Sequence, residues 1–375
     1  MAGIYIHIPF CKQACHYCDF HFSTSLKNKK AFIVALRKEI ALQKDYLQNE
    51  IISTIYFGGG TPSLLYQKEL LEIIEELHKH YTIEPGAEIT LEANPDDLTV
   101  QKIKELKQTP VNRLSIGIQS FFDEDLKFMN RAHNSKEALS SVKTSQDAGF
   151  SNITIDLIYG VPGLSHEKWR KNLEIIFNLK VQHVSAYCLT VEPKTPLASF
   201  IKKGKVKNID DTQGAKQFQI LIEEMNKNNF IHYEISNFAK EGFISKHNSN
   251  YWFKEKYLGL GPSAHSFDGN SRQWNISNNA LYVESLNRSQ LNYEKEMLSK
   301  TNQYNEYVMT SLRTMWGTDL NYIQKHFDKN YYDYIIQESN HYVYSGYLIN
   351  SNNKIILSDS GKLLADKIAS DLFMI

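Results

Sequence analysis

The feature that most constrains the fold of this chain is a regular alternation of short apolar runs with amphipathic segments through its first half. The apolar runs have the length and composition of buried strands, and the segments between them have helical spacing. Strands are predicted at residues 4–8, 52–57, 88–93, 113–118, 152–158 and 183–189. Helices are predicted at residues 29–47, 70–80, 100–108, 135–148 and 167–179. Strands joined by helical crossovers form a parallel sheet, so the sequence predicts an α/β fold, a partial (β/α)6 TIM-like barrel.

The last part of the chain has a different pattern. A long helix at residues 212–228 and a short strand at 231–235 follow the alternation, and residues 238–274 lack periodicity and are rich in Gly, Asn, His and aromatic residues. We predict a functional loop there. After residue 301, helices, a hairpin and a final helix indicate a small helical, winged-helix-like domain. The predicted division is a barrel at 1–235, a connecting region at 236–300 and a C-terminal domain at 301–375.

Charge and cysteine content exclude several classes of protein. Lys+Arg and Asp+Glu both total 42, so the basic excess typical of nucleic-acid binders is missing and no nucleic-acid partner is expected. Four cysteines in 375 residues do not form a disulfide framework. The N-terminus lacks the pattern of a signal peptide, and no apolar run approaches the roughly 20 residues that span a bilayer. We therefore expect a cytoplasmic protein with at most peripheral membrane contact.

Three of the four cysteines form a tight cluster directly after the first predicted strand. Cys11, Cys15 and Cys18 have the spacing C-x3-C-x2-C. Three thiolates can hold a [4Fe-4S] cluster that leaves one iron open, or they can bind zinc together with His16 or His21. The cysteines alone leave both readings open. The fourth, Cys188, is expected to be a buried apolar residue.

The ends of the later strands favour the cluster. Working residues of α/β barrels lie at the carboxyl ends of the strands, and here those ends carry a glycine-rich turn and polar side chains. They are Gly58-Gly59-Gly60-Thr61, Glu92, Gln119 and Asp156. Glycines admit a close ligand, carboxylates accept hydrogen bonds from hydroxyl or ammonium groups, and Arg131 can pair with a carboxylate. These groups suit a zwitterionic ligand with a ribose, such as S-adenosylmethionine.

Six motifs together resemble one family. YIHIPFC, GGGTPS, LEANP, SIGIQSF, DLIYGVPG and HNSNYW are similar to the radical S-adenosylmethionine superfamily, in its coproporphyrinogen-dehydrogenase-related branch. The resemblance implies a [4Fe-4S] cluster on Cys11, Cys15 and Cys18. It implies S-adenosylmethionine contacts from Tyr5, Tyr17, Gly59, Gly60, Thr61, Glu92, Gln119, Arg131, Asp156 and Thr190.

Two departures separate the chain from the dehydrogenases of that branch. Phe20 stands where those enzymes carry a fourth cysteine, and their extension ahead of the barrel is missing from this sequence. The pattern around Cys18 and the HNSNYW segment instead resemble the subfamily of haem chaperones called HemW. In that segment, His247 is either an axial ligand of haem iron or a residue that hydrogen-bonds the loop.

Two functions are therefore weighed. The first is a haem chaperone that binds haem and passes it to acceptor proteins, with respiratory-chain proteins among the candidate acceptors and a homodimer as a candidate assembly. The second is a radical enzyme that oxidatively decarboxylates coproporphyrinogen III to protoporphyrinogen IX. Phe20 favours the first. A zinc-stabilised nucleic-acid binder is disfavoured by the zero net charge.

Overall fold

The computed structural model describes residues 1–375, and its central feature is a parallel sheet of six strands. The strands are β1 Ala2–Ile8, β2 Ile52–Gly59, β3 Ile83–Ala93, β4 Arg113–Gln119, β5 Asn152–Tyr159 and β6 His183–Cys188. Each pairs in parallel with the next along the chain, which confirms the predicted partial barrel. All six carboxyl ends therefore lie at one rim of the barrel.

Helices connect these strands and cover the outside of the sheet. They are α1 Lys29–Leu42, α2 Gln67–His80, α3 Val100–Leu106, α4 Asp123–Phe128, α5 Ser135–Asp147, α6 His166–Asn178, α7 Pro196–Lys202 and α8 Asp211–Lys227. Short 3₁₀ turns follow β2 at Pro62–Leu64 and β3 at Pro95–Asp97. The first helix ends at Leu42, before the predicted residue 47, and the chain continues in turns through residues 43–49, with left-handed backbone at Gln48 and Asn49.

The prediction of a loop at residues 238–274 was wrong, because this region extends the sheet. It contains α9 Lys246–Trp252 and the strands β9 Lys256–Leu260, β10 His265–Phe267 and β11 Ser271–Asn275. Strand β9 lies parallel to β1, and β10 and β11 continue the sheet antiparallel. The strands of this region are three to five residues long, and β11 buries its polar residues Ser271, Gln273 and Asn275, so apolar periodicity could not reveal them.

The remaining strands complete a sheet of twelve. They are β7 Ile231–Glu234 and β8 Asn237–Ala239 beyond β6, and β12 Tyr293–Met297 at the other edge, after helix α10 Asn279–Asn287. The strand order is β12-β11-β10-β9-β1-β2-β3-β4-β5-β6-β8-β7. The barrel core is apolar and extends from Ala2 to Leu286.

The C-terminal part has a separate apolar core between Tyr304 and Leu372. Its elements are α11 Lys300–Leu312, β13 Thr318–Asp319, α12 Leu320–His326, α13 Lys329–Tyr344, β14 Leu348–Ser351, β15 Lys354–Leu357, α14 Asp359–Lys362 and α15 Ala365–Asp371. Helices packed on a three-stranded antiparallel sheet agree with the predicted winged-helix-like character. Arg313 joins this part to the barrel through an ion pair with Glu234.

Every helix in the structure is too short or too polar to cross a membrane.

Candidate functional site

A cavity of about 430 Å³ lies at the rim formed by the carboxyl ends of the barrel strands. It collects residues that are far apart in sequence, from the cysteine segment to the end of β6. Twelve of the fourteen residues predicted from the sequence line it: Cys11, Cys15, Tyr17, Cys18, Gly59, Gly60, Thr61, Glu92, Gln119, Arg131, Asp156 and Thr190. The other two, Tyr5 and His247, lie next to it in a second cavity.

The cysteine segment is a loop anchored at both ends. The backbone N–H of Cys11 donates to the carbonyl of Ser23 at 3.0 Å, and the N–H of Ser23 donates to the carbonyl of Pro9 at 2.9 Å. Further along the loop, the N–H of His16 donates to the carbonyl of Met129 at 3.1 Å. These bonds fix the loop across the rim, so its three thiols face one cavity.

Burial raises the pKa of two of the thiols, those of Cys11 and Cys18. It raises the pKa of Cys18 to about 11 and that of Cys11 above its ordinary value. A neighbouring cation or metal would favour the thiolate. No group of three or more Cys, His, Asp or Glu side chains is arranged as a finished metal site, so cluster ligation stays a prediction. The donor set, three thiols on one loop facing one cavity, fits a [4Fe-4S] cluster with one open iron.

The two histidines of the zinc reading are engaged elsewhere. The Nδ1 of His16 lies 2.9 Å from the carbonyl of Phe128, and its ring packs edge-on against Phe200. The Nε2 of His21 lies 2.7 Å from Oδ1 of Asn279. Neither imidazole lines the cavity, so neither histidine supplies the fourth zinc ligand that this reading requires.

Arg131 brings a positive charge to the thiols. Its Nη1 donates to Sγ of Cys15 at 3.3 Å, and its Nη2 donates to Oδ1 of Asn94 at 2.7 Å and to the carbonyl of Gly117 at 2.8 Å. Its Nε is buried without a hydrogen-bond partner. This guanidinium can therefore stabilise a thiolate, and it keeps one unused donor beside the cavity.

The glycine turn after β2 lies directly on the start of the cysteine loop. The N–H of Gly60 donates to the carbonyl of Ile8 at 2.9 Å, and a Cβ on Gly60 would lie 2.6 Å from the carbonyl oxygens of Ile8 and Phe10. Gly59 has φ +98°, and a Cβ there would lie 2.4 Å from the His7 ring. Only glycine permits this close approach, which leaves exposed backbone on the cavity wall.

Two carboxyl groups face the cavity with unusually high pKa values. Burial raises the pKa of Glu92 to about 7 and that of Asp156 to about 6. Glu92 accepts a hydrogen bond from the Tyr56 hydroxyl at 2.8 Å, and Asp156 accepts from the Ser115 hydroxyl at 3.2 Å. A ligand that donates hydrogen bonds or carries positive charge would stabilise their ionised forms.

Gln119 is turned into the cavity by strained backbone. Its φ is +66°, a left-handed value that costs free energy for a residue with a side chain, and it lies at a break in the register of β4 and β5. Strain of this kind is concentrated at functional sites, which supports the prediction that Gln119 contacts a ligand.

The second cavity, of about 360 Å³, contains Tyr5 and His247 and shares Glu92 and Tyr187 with the first. Only 2% of His247 is exposed, and both ring nitrogens are occupied: Nδ1 lies 2.8 Å from Oγ1 of Thr54, and Nε2 lies 2.9 Å from the hydroxyl of Tyr251. Burial lowers the pKa of His247 to about 3, so the ring is neutral. The structure thus presents a hydrogen-bonding histidine rather than a free axial ligand.

One expectation about the cysteines was wrong, and several lining residues were missed. Cys188 is exposed and lines the first cavity, because the last residue of β6 reaches the same rim as the other strand ends. The strand-end rule applied to β6 could have found it. Tyr187 was missed for the same reason, and Tyr56, which holds Glu92, carries no motif of its own.

The chain is similar to known proteins over its whole length. The model of the radical SAM superfamily matches residues 5–176. The haem chaperone HemW of Bacillus subtilis is 31% identical over 373 residues, which cover 98% of both chains. HemW of Lactococcus lactis is 32% identical over 365 residues, 97% of this chain and 95% of the relative. The solved structure of the radical SAM enzyme coproporphyrinogen III oxidase (HemN) from Escherichia coli superimposes with a TM-score of 0.86 at 21% identity. It covers 100% of this chain and 90% of that one, and establishes the common fold.

Proposed function

The chain belongs to the radical S-adenosylmethionine superfamily, in the family of the haem chaperones called HemW, and from this premise we propose that it binds haem and transfers it to acceptor proteins. The observation that carries the proposal is the match to proteins named haem chaperones, one of them over 98% of both chains and another over 97% of this chain and 95% of the relative. The sequence agrees with this proposal, since Phe20 stands two residues after Cys18, where the dehydrogenases of the branch carry a fourth cysteine.

We propose that the first cavity holds a [4Fe-4S] cluster on Cys11, Cys15 and Cys18, with S-adenosylmethionine beside it. When bound, the cluster supplies an electron at the sulfonium of S-adenosylmethionine. The residues of this chain would bind and orient the ligand: the backbone of Gly59 and Gly60 would lie against its amino-acid part. Glu92 and Asp156 would accept hydrogen bonds from its hydroxyl or ammonium groups. The remaining lining residues predicted from the sequence, Tyr17, Thr61, Gln119, Arg131 and Thr190, complete the binding surface.

A flat apolar ligand has a surface to bind at the mouth of this cavity. Phe20 is 64% exposed and lines the cavity together with Phe22 and Tyr187. Phe20 and Tyr187 are exposed and Phe22 is half-buried, and a porphyrin ring offers a flat face that matches such aromatic side chains. We propose that haem binds against these rings.

Haem titration of the full-length, anaerobically reconstituted protein tests this proposal. We expect a saturable Soret band, weakened several-fold in affinity by Phe20→Ser. Phe253→Ser is the matched control, because Phe253 is 49% exposed, packs at a tilt against Trp316 and lies outside the cavity. Absence of saturable haem binding by the wild-type protein would refute the proposal.

The same sample separates the chaperone from an enzyme of the same fold. Conversion of coproporphyrinogen III to protoporphyrinogen IX by the reconstituted protein would contradict a function limited to haem transfer. Haem release to an apo-haemoprotein, measured by the transfer of the Soret band, is the expected positive result.

The remaining partners follow from the same proposal. We propose haem-accepting proteins as the physiological partners, a homodimer as the assembly and the cytoplasm as the location. A reducing compartment suits this chain because its thiol cluster would have to stay reduced to hold iron. Light scattering of the reconstituted protein with and without haem tests the assembly.

A further inference from the structure

We propose that His247 is a positioning residue for the S-adenosylmethionine site: its ring supports Tyr56, whose hydroxyl holds the carboxylate of Glu92. The inference rests on the proposed binding of S-adenosylmethionine and assigns to the HNSNYW segment a role that is independent of haem iron.

Residues of the three strands β1, β2 and β3 fix the position of His247. Its Nδ1 pairs with Oγ1 of Thr54 on β2, and the backbone N–H of His247 donates to Oε1 of Glu88 on β3 at 3.0 Å. On β1, a Cβ on Gly3 would lie 2.8 Å from Oγ1 of Thr54 and 3.3 Å from Nδ1 of His247. A side chain at position 3 would displace the imidazole, so Gly3 leaves the space that the ring fills.

In this position the imidazole of His247 packs against the ring of Tyr56. The ring centroids of His247 and Tyr56 are 5.0 Å apart, and the planes are inclined by 23°, which is a stacked arrangement. Tyr251 packs edge-on to the imidazole at 5.2 Å, with its hydroxyl on Nε2. The imidazole thus contacts two tyrosines, and it limits the positions open to the buried Tyr56 side chain.

Tyr56 transmits this constraint to Glu92. Its hydroxyl donates to Oε1 of Glu92 at 2.8 Å. A Cβ on Gly58 would lie 2.9 Å from Cε1 of Tyr56 and 3.1 Å from Oε1 of Glu92, so this glycine makes room for the contact. Glu92 is the carboxylate that lines both cavities. The orientation of Glu92 toward the first cavity therefore depends on the ring of Tyr56, and His247 in the second cavity limits where that ring can lie.

A double-mutant cycle on the reconstituted full-length protein tests the chain of contacts. The measured quantity is the dissociation constant of S-adenosylmethionine for wild type, Tyr56→Phe, His247→Ala and the double variant. We expect each single variant to weaken binding about tenfold, because each leaves the carboxylate without its oriented donor. In the Tyr56→Phe background, His247→Ala should change the dissociation constant of S-adenosylmethionine less than about twofold. His247 acts through the Tyr56 hydroxyl, and that hydroxyl is already missing in this background.

Two further variants keep the test sensitive to the mechanism. His247→Phe keeps a flat ring against Tyr56 and should restore most of the affinity lost in His247→Ala. If His247→Ala fails to fold, near-wild-type affinity in His247→Phe is the expected result, and a loss of affinity in His247→Phe would count against the role of the stacked ring. His265→Ala is the matched control, because His265 stacks on Trp274 outside both cavities, and it should bind S-adenosylmethionine as wild type does. The Soret band of bound haem should be the same in wild type and His247→Ala.

Several outcomes would overturn the inference. They are additive effects in the cycle, wild-type affinity for S-adenosylmethionine in His247→Ala, or a lost axial ligand in the Soret spectrum of His247→Ala with unchanged S-adenosylmethionine binding. Failure of the wild-type protein itself to bind S-adenosylmethionine would refute the proposed cofactor as well, and so differs from failure of the inference alone.

Discussion

Replacing Glu92 with glutamine removes a buried carboxyl charge from the cavity and keeps the shape of the side chain. Burial raises the pKa of Glu92 from its usual 4.5 to about 7 in the folded chain. Below the usual value the group is protonated in both states and has no effect on stability. As the pH rises toward 7, the unfolded chain releases the proton while the folded chain keeps it, so stability falls.

The size of this effect follows from the shift. One pKa unit corresponds to about 1.4 kcal/mol, so a shift from 4.5 to about 7 corresponds to about 3 kcal/mol at pH 8 and to about 1 kcal/mol at pH 5. Glutamine does not ionise and can still accept from the Tyr56 hydroxyl. We therefore expect Glu92→Gln to be more stable than wild type by about these amounts, and to bind S-adenosylmethionine more weakly.

Urea denaturation of the two proteins without cofactors, at pH 5 and at pH 8, measures this difference. The predicted result is a stabilisation by Glu92→Gln that is larger at pH 8 than at pH 5. Ser115→Ala is a useful comparison, since it removes the partner of Asp156 and leaves Glu92 unchanged. A Glu92→Gln variant that is equally stable or less stable than wild type at pH 8 would show that the carboxyl group is not penalised by burial.

Three further predictions concern the rim and the barrel interior. Replacing any one of the three clustered cysteines with alanine should abolish iron incorporation on anaerobic reconstitution, whereas Cys188→Ala should retain it; equal iron in all four variants would contradict the assigned ligands. Gly60→Ala should destabilise the protein by about 1–3 kcal/mol in urea denaturation, because its Cβ would collide with two carbonyl oxygens; unchanged stability would show that the turn can move away. Arg113→Ala should cost about 3–5 kcal/mol in the same assay, because only 1% of Arg113 is exposed and its loss leaves the buried Glu88 carboxylate with backbone donors but without its cation; a cost below about 1 kcal/mol would show that water reaches this interior.

Much of the barrel and its rim could be predicted from the sequence. Six apolar runs with helical segments between them determined a parallel sheet, and the rule that working groups lie at strand ends brought Glu92, Gln119 and Asp156 to one cavity. The thiol spacing and the glycine turn belong to the same rim. These features are local or follow from topology, so no side-chain packing was needed to find them.

The parts that could not be predicted depend on contacts between distant segments. Strands β9 to β11 are only three to five residues long, and β10 and β11 bury polar residues, so no apolar period marks them. Cys188 looked like a lone buried cysteine because its exposure depends on where β6 ends. The HNSNYW motif singled out His247 but did not indicate its role. Only the structure shows that both ring nitrogens are hydrogen-bonded and that the ring stacks on Tyr56.

The most direct test of the account is the metal content of the wild-type protein after anaerobic reconstitution, measured with its response to S-adenosylmethionine. We predict iron and labile sulfide equal to one four-iron cluster per chain, with an electron paramagnetic resonance signal of the reduced cluster that changes when S-adenosylmethionine is added. Stoichiometric zinc without labile sulfide would contradict the proposed [4Fe-4S] cluster. A cluster signal that does not change when S-adenosylmethionine is added would contradict the proposed binding of that ligand.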